Sequence, residues 1–110
     1  MIVEMLLSLA ALQGASTPAA EGEELAEAIT VIGQRARRVR WDWRVNRAGR
    51  LTKCKITRSS GDSEIDQIGC EATRQCAASG LRRERQMRAC IIPLREQLIR
   101  ALAERRGMGR

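Results

Sequence analysis

The stretch GRLTKCKITRSSGDSEIDQIGC, residues 49–70, decides the fold. Its first half is a short strand, its Ser-Ser-Gly is a break, and its second half is the start of a helix. In LTKCKITR, Leu51 falls on one parity and Cys54 and Ile56 on the other. A strand here therefore needs a bulge near Thr52 and Lys53, unless Leu51 belongs to the preceding turn. SSGD ends the strand and brings capping oxygens. Ser60, Asp62 or Ser63 can accept from the first free amides of a helix, and Asp62, Glu64 and Asp66 add negative charge at its positive end. Ile65, Ile68, Gly69, Ala72 and Cys76 then recur at helical spacing, with Cys70 beside the stripe, and the helix is predicted to end over residues 77–80.

Upstream, VRWDWRV (residues 39–45) alternates Val39, Trp41, Trp43 and Val45 with Arg40, Asp42 and Arg44. Strict period two is the pattern of a strand with one buried face. NRAGR (residues 46–50) reads as a turn in which Asn46 and Gly49 tolerate positive φ. Residues 38–58 thus form a predicted β-hairpin with Trp41, Trp43, Cys54 and Ile56 facing inward. Downstream, Met87, Ile91, Leu94, Leu98 and Leu102 follow at steps of four, three, four and four. Pro93 interrupts this stripe. It predicts either a kinked helix or a helix over residues 93–106 ending at Gly107, with residues 87–92 then available as a third strand. The expected class is α+β: a hairpin or three-stranded sheet packed by a central helix and a C-terminal amphipathic helix.

The first twenty residues carry an apolar run over 5–12 followed by small residues over 14–17, the order of a secretory signal, although the leading segment holds Glu4 and no Lys or Arg. The run is too short for the ~20 residues a membrane-spanning helix needs. Residues 1–20 are expected to be a signal peptide cut after Ser16, Ala19 or Ala20, the other reading being an ordinary N-terminal helix of a cytoplasmic protein. Residues 21–34 are expected to be a flexible acidic linker, ITVIG giving only a brief β-branched run that Gly33 ends, and residues 35–107 one small domain. With no Phe, no Tyr and two Trp in 110 residues, the core is thin and gains from crosslinks.

Cys54, Cys70, Cys76 and Cys90 are separated by fifteen, five and thirteen residues, with no CxxC and no histidine in the chain. That spacing suits neither a zinc site nor a thioredoxin-type motif, and an even count in a short chain is the mark of an exported disulfide framework. Three pairings are open. A strand and helix joined by one tight connection favour Cys54 with Cys70, which leaves Cys76 for Cys90. No metal and no cofactor are expected.

Charge is uneven: every one of the 20 basic residues lies from Arg35 onward, while Glu21, Glu23, Glu24 and Glu27 form an acidic lead. A domain so basic feels nearby polyanions, including weak attraction to anionic surfaces. Trp41 and Trp43 among Arg40, Arg44 and Arg47 have the composition of a stacking platform for single-stranded nucleic acid, but as the largest apolar groups, on one parity, they are assigned to the core. The Arg residues of the last helix are read as its wet side rather than as a membrane-binding face. Catalysis is not expected: no Ser-His or Cys-His pair exists, no glycine-rich phosphate loop appears, and the carboxylates at 62, 64, 66 and 71 read as helix-start and surface groups.

Residues 38–76 resemble the start of the TonB C-terminal domain. The resemblance rests on GRLTKCKITRSSGDSEID: a Gly-led strand with apolar positions 51, 54 and 56, then Ser59, Ser60 and Gly61, then a helix opening with Ile65 and Asp66. In that family a hairpin leads through Ser-Ser-Gly into a helix and a further strand, and the domain meets outer-membrane receptors from the periplasm. Cys70 looks like variants that tie strand to helix. After residue 76 the family's aromatic-Pro turn and next strand are replaced by a basic stretch and an amphipathic helix. Residues 1–37 contain neither a full membrane-spanning anchor nor a Pro-rich spacer. The resemblance therefore implies the fold and not the energy-transducing role. The expected protein is a non-catalytic, periplasmic or secreted protein-binding or envelope accessory module, whose partner adds a strand to the sheet edge. The alternative is a small basic cytoplasmic protein that binds nucleic acid through residues 35–55.

Overall fold

The computed structural model describes residues 17–108. The order is α1 (Thr17–Arg38), β1 (Arg40–Val45), β2 (Leu51–Arg58), α2 (Ser63–Ala78) and α3 (Glu84–Met108). Among the described residues the fold is α+β: one two-stranded antiparallel hairpin, three helices and two disulfides.

The hairpin pairs Trp41 with Ile56, Asp42 with Lys55, Trp43 with Cys54 and Arg44 with Lys53. Val45 then pairs with Leu51, so Thr52 is the extra residue of a bulge that returns Leu51 to the inner face. A second shift beside Arg40, which faces Arg58, leaves Thr57 over in the same way. The turn is built on Asn46, whose Oδ1 accepts from Ala48 N at 2.9 Å and Arg50 N at 3.0 Å. Gly49 takes φ 80°, whereas Asn46 stays at negative φ and does its work through its side chain.

The inner face of the hairpin lies on α2. Asp62 is the N-cap of α2, accepting from Glu64 N at 3.0 Å and Ile65 N at 3.3 Å, and Gly80 follows its C-cap at φ 94°. Ile32, Ala36 and Val39 meet Ile65, Ile68, Ile99, Leu102 and Ala103 in one apolar cluster. Ala72, Cys76 and Ala77 meet Met87 and Ile91 in another. Trp41 is packed against both, so one ring joins the two halves of the core.

Two expectations are corrected. Residues 21–34 are not a linker: they lie within α1, whose residues Ile29, Ile32, Ala36 and the following Val39 repeat at helical spacing and press on α3 and α2. Thr30 and Val31 point outward, and buried Gly33 lies inside the helix rather than ending it. Residues 87–92 are not a third strand. One stripe from Met87 through Ile91 and Leu98 to Leu102 runs through Pro93, and packing on both sides of the proline keeps α3 continuous. Pro93 and Ala89 are exposed, so the carbonyl that the proline leaves without a donor is open to water. The proposed signal segment falls outside the described residues up to position 16, and residues 17–20 belong to the first turn of α1.

Candidate functional site

The four cysteines staple the fold. Cys54 of β2 is bonded to Cys70 of α2, and Cys76 of α2 to Cys90 of α3, each with Cα atoms 5.9 Å apart. Of the three pairings the spacing left open, this is the one present. Both bonds radiate from α2: Cys70 at its middle fastens it to the sheet, and Cys76 in its last turn fastens it to α3.

The Ser-Ser-Gly break folds around a carboxylate. Asp66 is 8% exposed, not a surface group as the sequence suggested. Its Oδ2 accepts from Ser59 Oγ, and its Oδ1 accepts from Ser60 N at 2.8 Å and Ser60 Oγ at 2.7 Å. The hydrogen bond from Ser59, with those from Ser60, holds the Asp66 carboxyl below its ordinary value against the upward pull of burial. Every oxygen is occupied by these turn donors, so this carboxylate organises the strand-to-helix corner. The Ser-Ser at the break and an Asp one turn into the helix were the signal that could have found it.

At the same end of α2, Arg106 Nη2 donates to Asp62 at 2.8 and 3.0 Å and to Glu64 at 3.4 Å. Its hydrogen bond is the main reason the Asp62 carboxyl also sits below its ordinary value. At the far end, Arg82 donates to Arg47 O at 3.1 Å and Leu81 O at 2.9 Å, tying the hairpin turn to the α2–α3 connection. Trp41 Nε1–H donates to Thr73 Oγ1 at 3.0 Å, and the Thr73 hydroxyl in turn donates to Gly69 O at 2.7 Å. With both indoles packed on the core, the stacking platform suggested by their neighbours is not formed.

What remains open is the edge of β1. A groove of about 600 Å³ is lined by Trp41, Asp42, Trp43 and Arg44 with Lys53 of β2, and by Arg82, Glu84 and Arg88 around the start of α3. Four consecutive residues of one strand line it. Side chains of both parities border one space only along a strand's edge, not over either face. Arg44 O accepts from Thr52 Oγ1 at 3.2 Å and so points toward β2. Asp42 shares that parity, and the backbone groups of Trp41 and Trp43 therefore turn to the groove. Among the described residues, no backbone hydrogen bond outside the hairpin engages either of them. The groove holds Arg44, Lys53, Arg82 and Arg88 against Asp42 and Glu84, and Glu84 is already engaged by Arg88 at 2.7 Å.

Among the described residues, no group of three or more His, Cys, Asp or Glu side chains is placed to hold a metal ion. No helix among them is long and apolar enough to cross a membrane. Comparison with protein-family models, curated proteins and solved structures gives no match. The TonB C-terminal resemblance accordingly stands on the residues of the 49–66 stretch alone.

Proposed function

We propose that the chain is a non-catalytic, exported protein-binding module of the TonB C-terminal kind, acting in the periplasm or outside the cell, and that it binds a partner by adding that partner's strand to β1. The observation that carries the reading is the open edge itself. A two-stranded sheet leaves β1 with unpaired backbone donors and acceptors facing a groove, and a free edge of this kind is a template for another strand. Support for export comes from the cysteines. All four are in disulfides, which persist in oxidising compartments and are rare in the cytosol. The same fact disfavours the cytoplasmic nucleic-acid reading, as does the packing of both indoles into the core.

Two measurements test the two parts. Intact mass of the chain recovered from an envelope fraction, without reductant, is expected to show loss of the first 16 to 20 residues and of four hydrogens. A full-length chain with four free thiols overturns the export half. A photo-crosslinking side chain at position 42 is expected to give an adduct whose partner fragment lies in an extended segment, while the same group at exposed Ala101 of α3 gives none. Equal adducts at both positions overturn the strand-addition half.

A further inference from the structure

The charges beside the open edge say what kind of strand fits it. On the solvent face of the hairpin Arg40 stands opposite Arg58, and Arg44 opposite Lys53. Like charges directly across a sheet destabilise it. Only Asp42, paired with Lys55, interrupts this set. Across the groove, Arg82 spends its donors on neutral carbonyls, which leave its charge uncompensated.

A strand laid along β1 places its own solvent-face side chains next to Arg40, Asp42 and Arg44, at the ~5 Å separation of cross-strand neighbours. Carboxylates opposite the two arginines relieve the repulsion on the hairpin and meet the cations of the groove. A lysine in either place adds to the repulsion. Opposite Asp42 a neutral or basic residue fits. A phosphodiester strand would also meet the cations, but the two indoles that border the groove are half-buried and packed against the core clusters rather than free to stack. Nor does it supply amide donors for the carbonyls of Trp41 and Trp43.

We propose that the segment added to β1 is an acidic extended peptide, with Asp or Glu at the positions that face Arg40 and Arg44. This rests on the strand-addition reading and adds the chemistry of the partner. The test uses the oxidised full chain and four fluorescent probes: a decapeptide alternating Val and Glu, one alternating Val and Lys, the Val-Glu peptide N-methylated at every second residue, and a decamer of deoxythymidine. The Val-Glu peptide, which sets two favourable pairs at Arg40 and Arg44 against one repulsion at Asp42, is expected to bind, and the Val-Lys peptide, in which all three signs are reversed, about three- to tenfold more weakly. N-methylation is expected to abolish binding.

Equal binding of the Glu and Lys peptides, still lost on N-methylation, overturns the acidic preference and leaves strand addition standing. Binding of the Val-Glu peptide that ignores N-methylation overturns strand addition and the proposal with it. Binding of no peptide, or tighter binding of the deoxythymidine decamer than of the Val-Glu peptide, overturns the proposal as well. The double substitution Arg40→Glu and Arg44→Glu, at two exposed positions, is expected to exchange the preference of the Glu and Lys peptides. Unchanged preference in a variant that retains both disulfides contradicts it.

Discussion

Gly69 lets α2 lie close against the Trp41 ring of the hairpin. A Cβ at this position would lie 2.8 Å from the Trp41 ring, closer than carbon atoms approach. Gly69→Ala therefore sets two effects against each other. Alanine favours the helix by about 1 kcal/mol, while pushing away the ring that joins both halves of the core costs about 1–3 kcal/mol and strains the hydrogen bond to Thr73. The second effect is expected to win, with a lower melting temperature and a red-shifted indole emission. Asp62 has two tasks, capping α2 and holding Arg106. Asp62→Ala is expected to cost about 1–2 kcal/mol in urea unfolding, and Arg106→Ala less, since Asp62 then still caps α2. The acid limb follows from the same groups. Asp62 and Asp66 both have folded values below their ordinary ones, so their stabilisation is complete above the unfolded pKa, ~3.9, and is lost as pH falls through the folded values. Acid titration is expected to show unfolding that begins below about pH 4. Asp66→Asn, which keeps the shape and removes the titration, should flatten that limb.

At the scale of elements, what the sequence made legible followed from how much of each pattern was local. The alternation of 39–45 placed Trp41 and Trp43 inward, and the parity of Leu51 against Cys54 required the bulge that Thr52 supplies. The cap at Asp62 and the stripe from Ile65 to Cys76 were readable for the same reason: each is settled within a turn or two of chain. α1 was not readable. Its Glu and Gly content looks like a solvated lead, and Ile32 and Ala36, with Val39 just past its end, acquire meaning from Ile65 and Ile68 and from Ile99 and Leu102, which are sixty or more residues away. The reach of α3 through Pro93 was hidden likewise, because tertiary packing of Met87 and Leu102 outweighs a propensity penalty of about 3 kcal/mol. For the candidate site, the cations were legible but their neighbours were not. Nothing local to 39–45 announces that the start of α3 stands across a groove from β1. A direct check on these elements is Pro93→Ala, which restores a donor to a helix already continuous. It is expected to raise stability rather than change the fold, and unchanged far-ultraviolet circular dichroism with a higher melting temperature would show it.

For the whole molecule, the thin core makes the crosslinks decisive. The bonds span sequence separations of 16 and 14 residues, each worth about 3 kcal/mol in the chain-entropy model. Together they are comparable to the total of 5–15 kcal/mol typical of a small domain. Full reduction is expected to unfold the chain near room temperature, seen as collapse of the thermal transition, whereas the Cys54→Ala and Cys70→Ala pair alone leaves a folded protein with a lowered midpoint. Such a scaffold keeps the hairpin fixed while its β1 edge stays open, and the most direct test of that claim is amide hydrogen exchange, residue by residue, with and without the Val-Glu decapeptide. In the free protein, the amides of Asp42 and Arg44, turned to β2, are expected to be protected and those of Trp41 and Trp43 to exchange freely. Saturation with the peptide should protect Trp41 and Trp43. Amides of Trp41 and Trp43 that are already protected in the free chain, or that exchange as fast in the saturated complex, would contradict an edge built to receive a strand.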